Sequence, residues 1–229
     1  MTIYAIGDIH GRSDLLAQLL EYIRDHHLFF GDGTTAEIIC IGDYIDGGPD
    51  SRGVIDTLMQ GINGFRLTCL MGNHEDLMLA CLESDDRYVW QNWLSNGGDT
   101  TLTSFGVSTR FGGYDPRPLA DALGPERIAW LDSLSLYEAR NGYLFVHAGV
   151  VPGVPMKHQR KEDLLWIRSR FLDSNADHGH VVVHGHTPSD EPVVCRNRIC
   201  IDTGATSNSL LTAAVLSKGE DPIFLHARG

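Results

Sequence analysis

Apolar residues recur along this chain with two periods, and the two alternate. Ile3-Tyr4-Ala5-Ile6, Glu37 to Ile41 and Phe65 to Met71 are short apolar runs that each close on a glycine, as strands do. Between the first two, Leu15, Leu16, Leu19, Leu20 and Ile23 fall at helical spacing behind Ser13, which can cap a helix. Val54, Ile55, Leu58 and Met59 repeat that spacing behind Asp50 and Ser51, and a third helix is expected from about His74 to Leu82. The rhythm predicts an α/β core with helices on its faces.

From Tyr143 onward strands dominate: Tyr143 to Val146, Val181 to Val183, Val193 to Cys195, Ile199 to Ile201, Leu211 to Leu216 and Pro222 to His226. A strand series closing on the early strand-helix units predicts two stacked sheets. The stretch from Tyr88 to Glu138 is less regular. Asn96-Gly97-Gly98-Asp99 and Gly112-Gly113-Tyr114-Asp115-Pro116 mark loops, and Pro125 suits the first turn of a helix running toward Leu134. That stretch reads equally as a lid over a site or as helices packed on one flank. With no repeat, low-complexity tract or linker, one domain over residues 1–229 is expected.

The formal net charge of -12 argues against a long nucleic-acid polymer as partner, because phosphate-backbone binding relies on clustered Lys and Arg. A small anionic substrate stays open, since bound dications reverse a local field. Cys40, Cys69 and Cys81 sit in apolar runs and read as core residues, whereas Cys195 and Cys200 flank an expected hairpin and could face each other. Nothing else points to an oxidising compartment. The first residues run straight into a strand without a basic and apolar leader, and no stretch is apolar enough for a bilayer. The expectation is a cytoplasmic location with no membrane partner.

Five segments pair a glycine with a metal-capable side chain after an apolar run. They are Gly7-Asp8-Ile9-His10-Gly11, Gly42-Asp43-Tyr44-Ile45-Asp46, Gly72-Asn73-His74-Glu75, His147-Ala148-Gly149 and His184-Gly185-His186-Thr187. Glycine lets the backbone turn sharply and lets an ion approach. Asp8 and His10, two apart, would share one face of a strand and hold one ion. A carboxylate such as Asp43 can bridge two cations, and Asn73, His147 and His186 add an amide oxygen and ring nitrogens. Such a mixed N/O set without thiolate suits manganese first, with iron or zinc as alternatives. Two ions so held do hydrolytic phosphate chemistry by clamping oxygens and activating water. His184 is left out of this ligand set.

Taken together, these motifs resemble the phosphoprotein phosphatases of the calcineurin-like metallophosphoesterase superfamily, in their short bacterial form. The resemblance runs from Tyr4 to about Val215. It implies a sandwich of two mixed β-sheets flanked by helices and a centre holding two divalent ions. By position, Asp8, His10 and Asp43 would bind the first ion, and Asp43, Asn73, His147 and His186 the second. Wider superfamily members carry a further histidine where this chain has Pro188. His74 resembles the family's general acid and Asp46 the carboxylate that orients it. The implied mechanism is direct in-line attack by metal-bound hydroxide on a phosphoprotein or small phosphoester, with no phosphoenzyme.

Two departures stand out. Asp46-Gly47-Gly48 occupies the place of an Asp-Arg-Gly signature, and Met71 replaces the arginine of Arg-Gly-Asn-His. Arg52 and Arg168 remain as phosphate-binding candidates, the latter in a Leu165-Trp166-Ile167-Arg168 segment that looks like the family's second arginine region. A protein serine/threonine phosphatase is the leading expectation, and a dinucleoside polyphosphate hydrolase the alternative. The latter needs a base-stacking platform, for which Trp90, Trp93, Tyr114 and Trp166 are candidates. A binding module that has lost its chemistry is the third reading.

Overall fold

The computed structural model describes residues 2–31, 33–108 and 114–229. The loop expected around Gly112 and Gly113 lies partly outside them. Two five-stranded mixed sheets form the core. The first has the order β10 (Ile223–Arg228), β9 (Leu210–Leu216), β1 (Ile3–Ile6), β2 (Ala36–Cys40), β3 (Phe65–Cys69). The second runs β4 (Tyr137–Arg140), β5 (Tyr143–Val146), β6 (Val181–His184), β8 (Arg198–Cys200), β7 (Val193–Val194). The short β4 was not anticipated from the sequence: its alternation runs against burial, with Tyr137 and Ala139 exposed and Glu138 and Arg140 half-buried.

Side-chain alternation divides the interior into layers. Ile3 and Ala5 of β1 face the second sheet, packing with Ile39, Phe145, Val183 and Ile199. Tyr4 and Ile6 point the other way, into a cluster with α1 (Ser13–Phe30), α2 (Ser51–Gln60) and α3 (Asn73–Leu82) through Leu15, Leu19, Val54 and Met78. The far face of the second sheet is covered by α7 (Lys161–Trp166) and α8 (Ser169–Leu172), where Leu164 and Phe171 meet Leu144 and Val182. The result is helix, sheet, sheet, helix, with β1, β2 and β9 buried on both faces.

The irregular middle folds into α4 (Arg87–Trp93), a π-helical turn over Leu94–Gly98, α5 (Asp99–Ser104) and α6 (Pro116–Asp132). α6 breaks at Gly124, whose φ is 74°, so Pro125 does open a helical segment as expected. Cys195 and Cys200 are free; Cys200 stands opposite Val193 across the β7–β8 pair. No helix among the described residues is long and apolar enough to cross a membrane.

Strand direction sets up the functional site. β1, β2 and β3 are parallel, and so are β5, β6 and β8. Loops leaving parallel neighbours emerge at the same edge of a sheet, where α/β proteins build their sites.

Candidate metal centre

All of those loops but the one after β5 deliver a polar residue to one cavity of about 130 Å³, lined among others by Asp8, His10, Asp43, Asn73, His74, Trp166, Arg168 and His186; the β5 loop places His147 behind its wall, against Asn73 and Asp43. β1 ends at Ile6, so Asp8 and His10 stand on the turn beyond it rather than alternating along a strand. What brings them inward is backbone shape: His10, Asp43, Asp46 and His186 all have positive φ, at 49°, 52°, 70° and 64°. Non-glycine residues avoid this region, and its use at four candidate site residues marks strain held by the surrounding packing. Close approach explains two of the glycines. A Cβ at Gly72 would lie 2.2 Å from Asp43 Oδ1, and one at Gly185 would lie 2.0 Å from Asp8 Oδ1.

Two groups of ligand atoms, each drawn together within 4.8 Å, share Asp43: His10 with His74, and His147 with His186. Asn73 joins the second group, its Oδ1 lying 2.7 Å from His147 Nε2 and 2.8 Å from His186 Nδ1. The first group differs from the sequence expectation, because His74 stands in it and Asp8 does not. Asp8 lines the same cavity, and its Oδ2 accepts the His186 backbone N–H at 2.9 Å. His184 is buried against Phe171, with ring centroids 5.1 Å apart, and packs in the interior.

The donor and acceptor inventory tests whether a metal fits. His147 Nδ1 lies 3.1 Å from the Ile41 carbonyl, and burial holds this imidazole below its ordinary pKa, hence neutral. The proton therefore sits on Nδ1, and Nε2 turns a lone pair toward Asn73 Oδ1 at 2.7 Å and Asp43 Oδ2 at 3.4 Å. Lone pairs so disposed repel unless a cation lies among them. Asp8 Oδ1 and His186 Nε2 are also buried without a protein partner. Burial and the charges of Asp202 and Asp43 push the Asp8 carboxyl well up, which positive charge in the cavity would reverse. The residues present fit divalent ions.

Beside this cluster, Asp46 is held from three sides. Its Oδ1 accepts from Thr101 Oγ1 at 2.6 Å, and its Oδ2 from His74 Nδ1 at 2.8 Å and Trp93 Nε1 at 2.9 Å. Burial alone would lower the His74 pKa, but Asp43 and the hydrogen bond and charge of Asp46 outweigh it and raise the imidazole to about 9. His74 is thus protonated at neutral pH, with Nε2 left free toward the cavity, 3.8 Å from Asp43 Oδ2. Burial works against the Asp43 carboxylate, yet the surrounding histidines keep its pKa low.

Glu75 ties two of the loops together. Oε2 accepts the N–H groups of Gly72 and Asp43, both at 2.9 Å, and Oε1 accepts that of Tyr44 at 2.8 Å. Burial and Asp43 push this carboxyl up to about 8. Arg168 lines the cavity, whereas Arg52 lies half-exposed on α2 beside Asp56, 3.7 Å away, and is not brought to it. Trp90 and Trp93 are buried, and Tyr114 packs on Trp90, so of the four aromatic candidates Trp166 alone lines the cavity. The irregular middle packs on a flank and also supplies Asn96 to the cavity wall. Sequence reading missed Thr101 and Asp202, and it offered Trp93 as a base-stacking residue rather than as a donor to Asp46; all three lie far along the chain from their contacts.

Comparison with known proteins agrees with this geometry. Residues 1–211 match the calcineurin-like phosphoesterase family. Serine/threonine-protein phosphatase 2 of Escherichia coli (strain K12) is 37% identical over 226 residues, covering 92% of this chain and 90% of that protein. Serine/threonine-protein phosphatase 1 of Salmonella typhimurium is 31% identical over 224 residues, covering 93% and 90%. A symmetrical bis(5'-nucleosyl)-tetraphosphatase of Nitrosomonas europaea is 28% identical over 153 residues, covering 66% of this chain and 46% of that protein. A protein serine/threonine phosphatase from Saccharomyces cerevisiae shares the fold, with a TM-score of 0.61 at 15% identity, covering 100% of this chain and 80% of that one.

Proposed function

Because the chain belongs to the calcineurin-like phosphoesterase family, we propose that it is a protein serine/threonine phosphatase dependent on two divalent ions, with residues 1–229 acting as one domain. Asp8, His10 and Asp43 hold the first ion, and Asp43, Asn73, His147 and His186 the second. The ligand set of nitrogen and hard oxygen, without thiolate, favours manganese over softer choices. When bound, the ions supply activation of water and electrostatic clamping of the phosphoryl oxygens.

The protein's own groups do the rest. His74 presents a protonated Nε2 and gives its proton to the leaving alkoxide oxygen, while Asp46 keeps the ring turned and charged through Nδ1. Trp93 and Thr101 fix Asp46 in turn. Arg168, at the cavity wall, meets a terminal phosphoryl oxygen.

The observation that carries the substrate class is the size of the cavity. At about 130 Å³ it is well below the roughly 300–1,000 Å³ of pockets that enclose whole small molecules. A phosphoryl group enters and the leaving group stays outside, as a phosphorylated protein side chain requires. The near-complete coverage of the two phosphatase relatives supports the same reading. One observation favours a dinucleoside polyphosphate hydrolase: Trp166 is 37% exposed at the cavity mouth, where a base could stack on it. Turnover of a phosphoserine peptide beside diadenosine tetraphosphate, both with manganese, separates the two. We expect the higher kcat/KM on the peptide; faster cleavage of the dinucleotide would transfer the assignment to the second reading.

A further inference from the structure

Six parallel strands end at the site, and the ligand set above uses five of them. β1 leads to Asp8 and His10, β2 to Asp43, β3 to Asn73, β5 to His147 and β6 to His186. The remaining parallel strand, β8, ends at Cys200 and leads to Asp202. Asp202 is buried and lines the cavity with Asp8, His10 and Asp43.

Its backbone and one oxygen are pinned. The Asp202 carbonyl accepts the Ser189 N–H at 3.1 Å, and Oδ1 accepts the Gly204 N–H at 3.0 Å. The carboxyl group shares the cavity wall with Asp8, whose own Oδ1 has no protein partner. Pro188, on the same cavity wall, offers no side-chain ligand atom. Two carboxylates on one buried cavity wall are the hard oxygen donors that a divalent ion takes. Asp8, Asp43 and Asp202 together set three negative charges against the four positive charges of two dications.

We propose that Asp202 is a further oxygen ligand of the ion held by Asp8 and His10. It completes a rule in which every parallel strand of both sheets contributes one or more ligands. The inference rests on the two-ion reading of the site, and the experiment separates the two.

Metal-free wild type, Asp202→Asn and Asp202→Ala are titrated with manganese by calorimetry, with electron paramagnetic resonance following the spin-coupled ion pair. Asparagine keeps an oxygen for the Gly204 N–H, so the local turn is preserved. In both variants one of the two binding events should weaken at least about tenfold, or 1.4 kcal/mol, while the other changes little. The coupled signal should appear only at higher manganese. If both variants bind two ions as tightly as wild type, Asp202 is no ligand and the inference is overturned. A lowered melting temperature of metal-free Asp202→Ala with unchanged manganese affinities would overturn it equally, by assigning the residue to the turn. If wild type takes up fewer than two ions, the two-ion reading fails and this inference with it.

Discussion

Gly47 stands where the family signature carries an arginine, and replacing it asks what that loss means. Its φ is 84°, and a Cβ there would lie 3.2 Å from Thr206 Cγ2. An L-residue in this left-handed region costs about 1–2 kcal/mol. The contact with Thr206 adds little, because Thr206 is exposed and can move. These terms subtract from stability, and at this chain length about 1–2 kcal/mol corresponds to a melting temperature lower by roughly 2–8 °C. They do not subtract from catalysis while the chain stays folded. Thr206 lines the cavity, so an arginine side chain leaving Gly47 past it reaches the substrate. A guanidinium gripping phosphoryl oxygens contributes about 1.5–3 kcal/mol. Placed in the transition state, that raises kcat/KM about tenfold to hundredfold. The assay compares Gly47→Arg with wild type on an aryl phosphomonoester with manganese, alongside melting curves. A folded, ion-loaded variant with unchanged kcat/KM would refute the idea that Gly47 limits the grip on phosphate.

Three further changes probe the supports of the site. Above pH 8, where the wild-type carboxyl is ionised, Glu75→Gln turns one of two acceptor oxygens into a donor facing backbone N–H groups of Gly72, Asp43 or Tyr44, and should lower unfolding stability by about 2–3 kcal/mol in urea titrations. His74→Asn removes the proton donor but no assigned ligand; turnover should fall about 10²–10⁴-fold while calorimetry still finds two ions. Thr101→Val keeps the shape but strips the 2.6 Å bond to Asp46, leaving a buried oxygen unpaired, and should destabilise the fold by about 1–3 kcal/mol and lower kcat more than it changes KM. Unaltered kcat in a stable Thr101→Val chain would show that Asp46 holds His74 without this support.

How much of this was written in the chain depends on range. Apolar runs closing on Gly7, Gly42, Gly72 and Gly185 gave away strand ends, because strand period and sharp turns are properties of a few neighbouring residues. Asp8, His10, Asp43, Asn73, His147 and His186 were therefore legible as candidates before their meeting place was known. That they meet follows from two sets of parallel strands ending at one edge, which no local pattern specifies. Four of the six described non-glycine residues with positive φ are candidate site residues, a conformation imposed by packing rather than by residue preference. Trp93 and Thr101 reach Asp46 across 47 and 55 residues, and their bonds exist only once the irregular middle is folded against the sandwich. Arg52 shows the converse: its charge was visible in the sequence, but helix α2 directs it to Asp56 and away from the cavity. Composition and spacing determined which chemistry was available, and strand order decided which groups could perform it together, because coordination requires atoms a few ångströms apart whatever their separation along the chain.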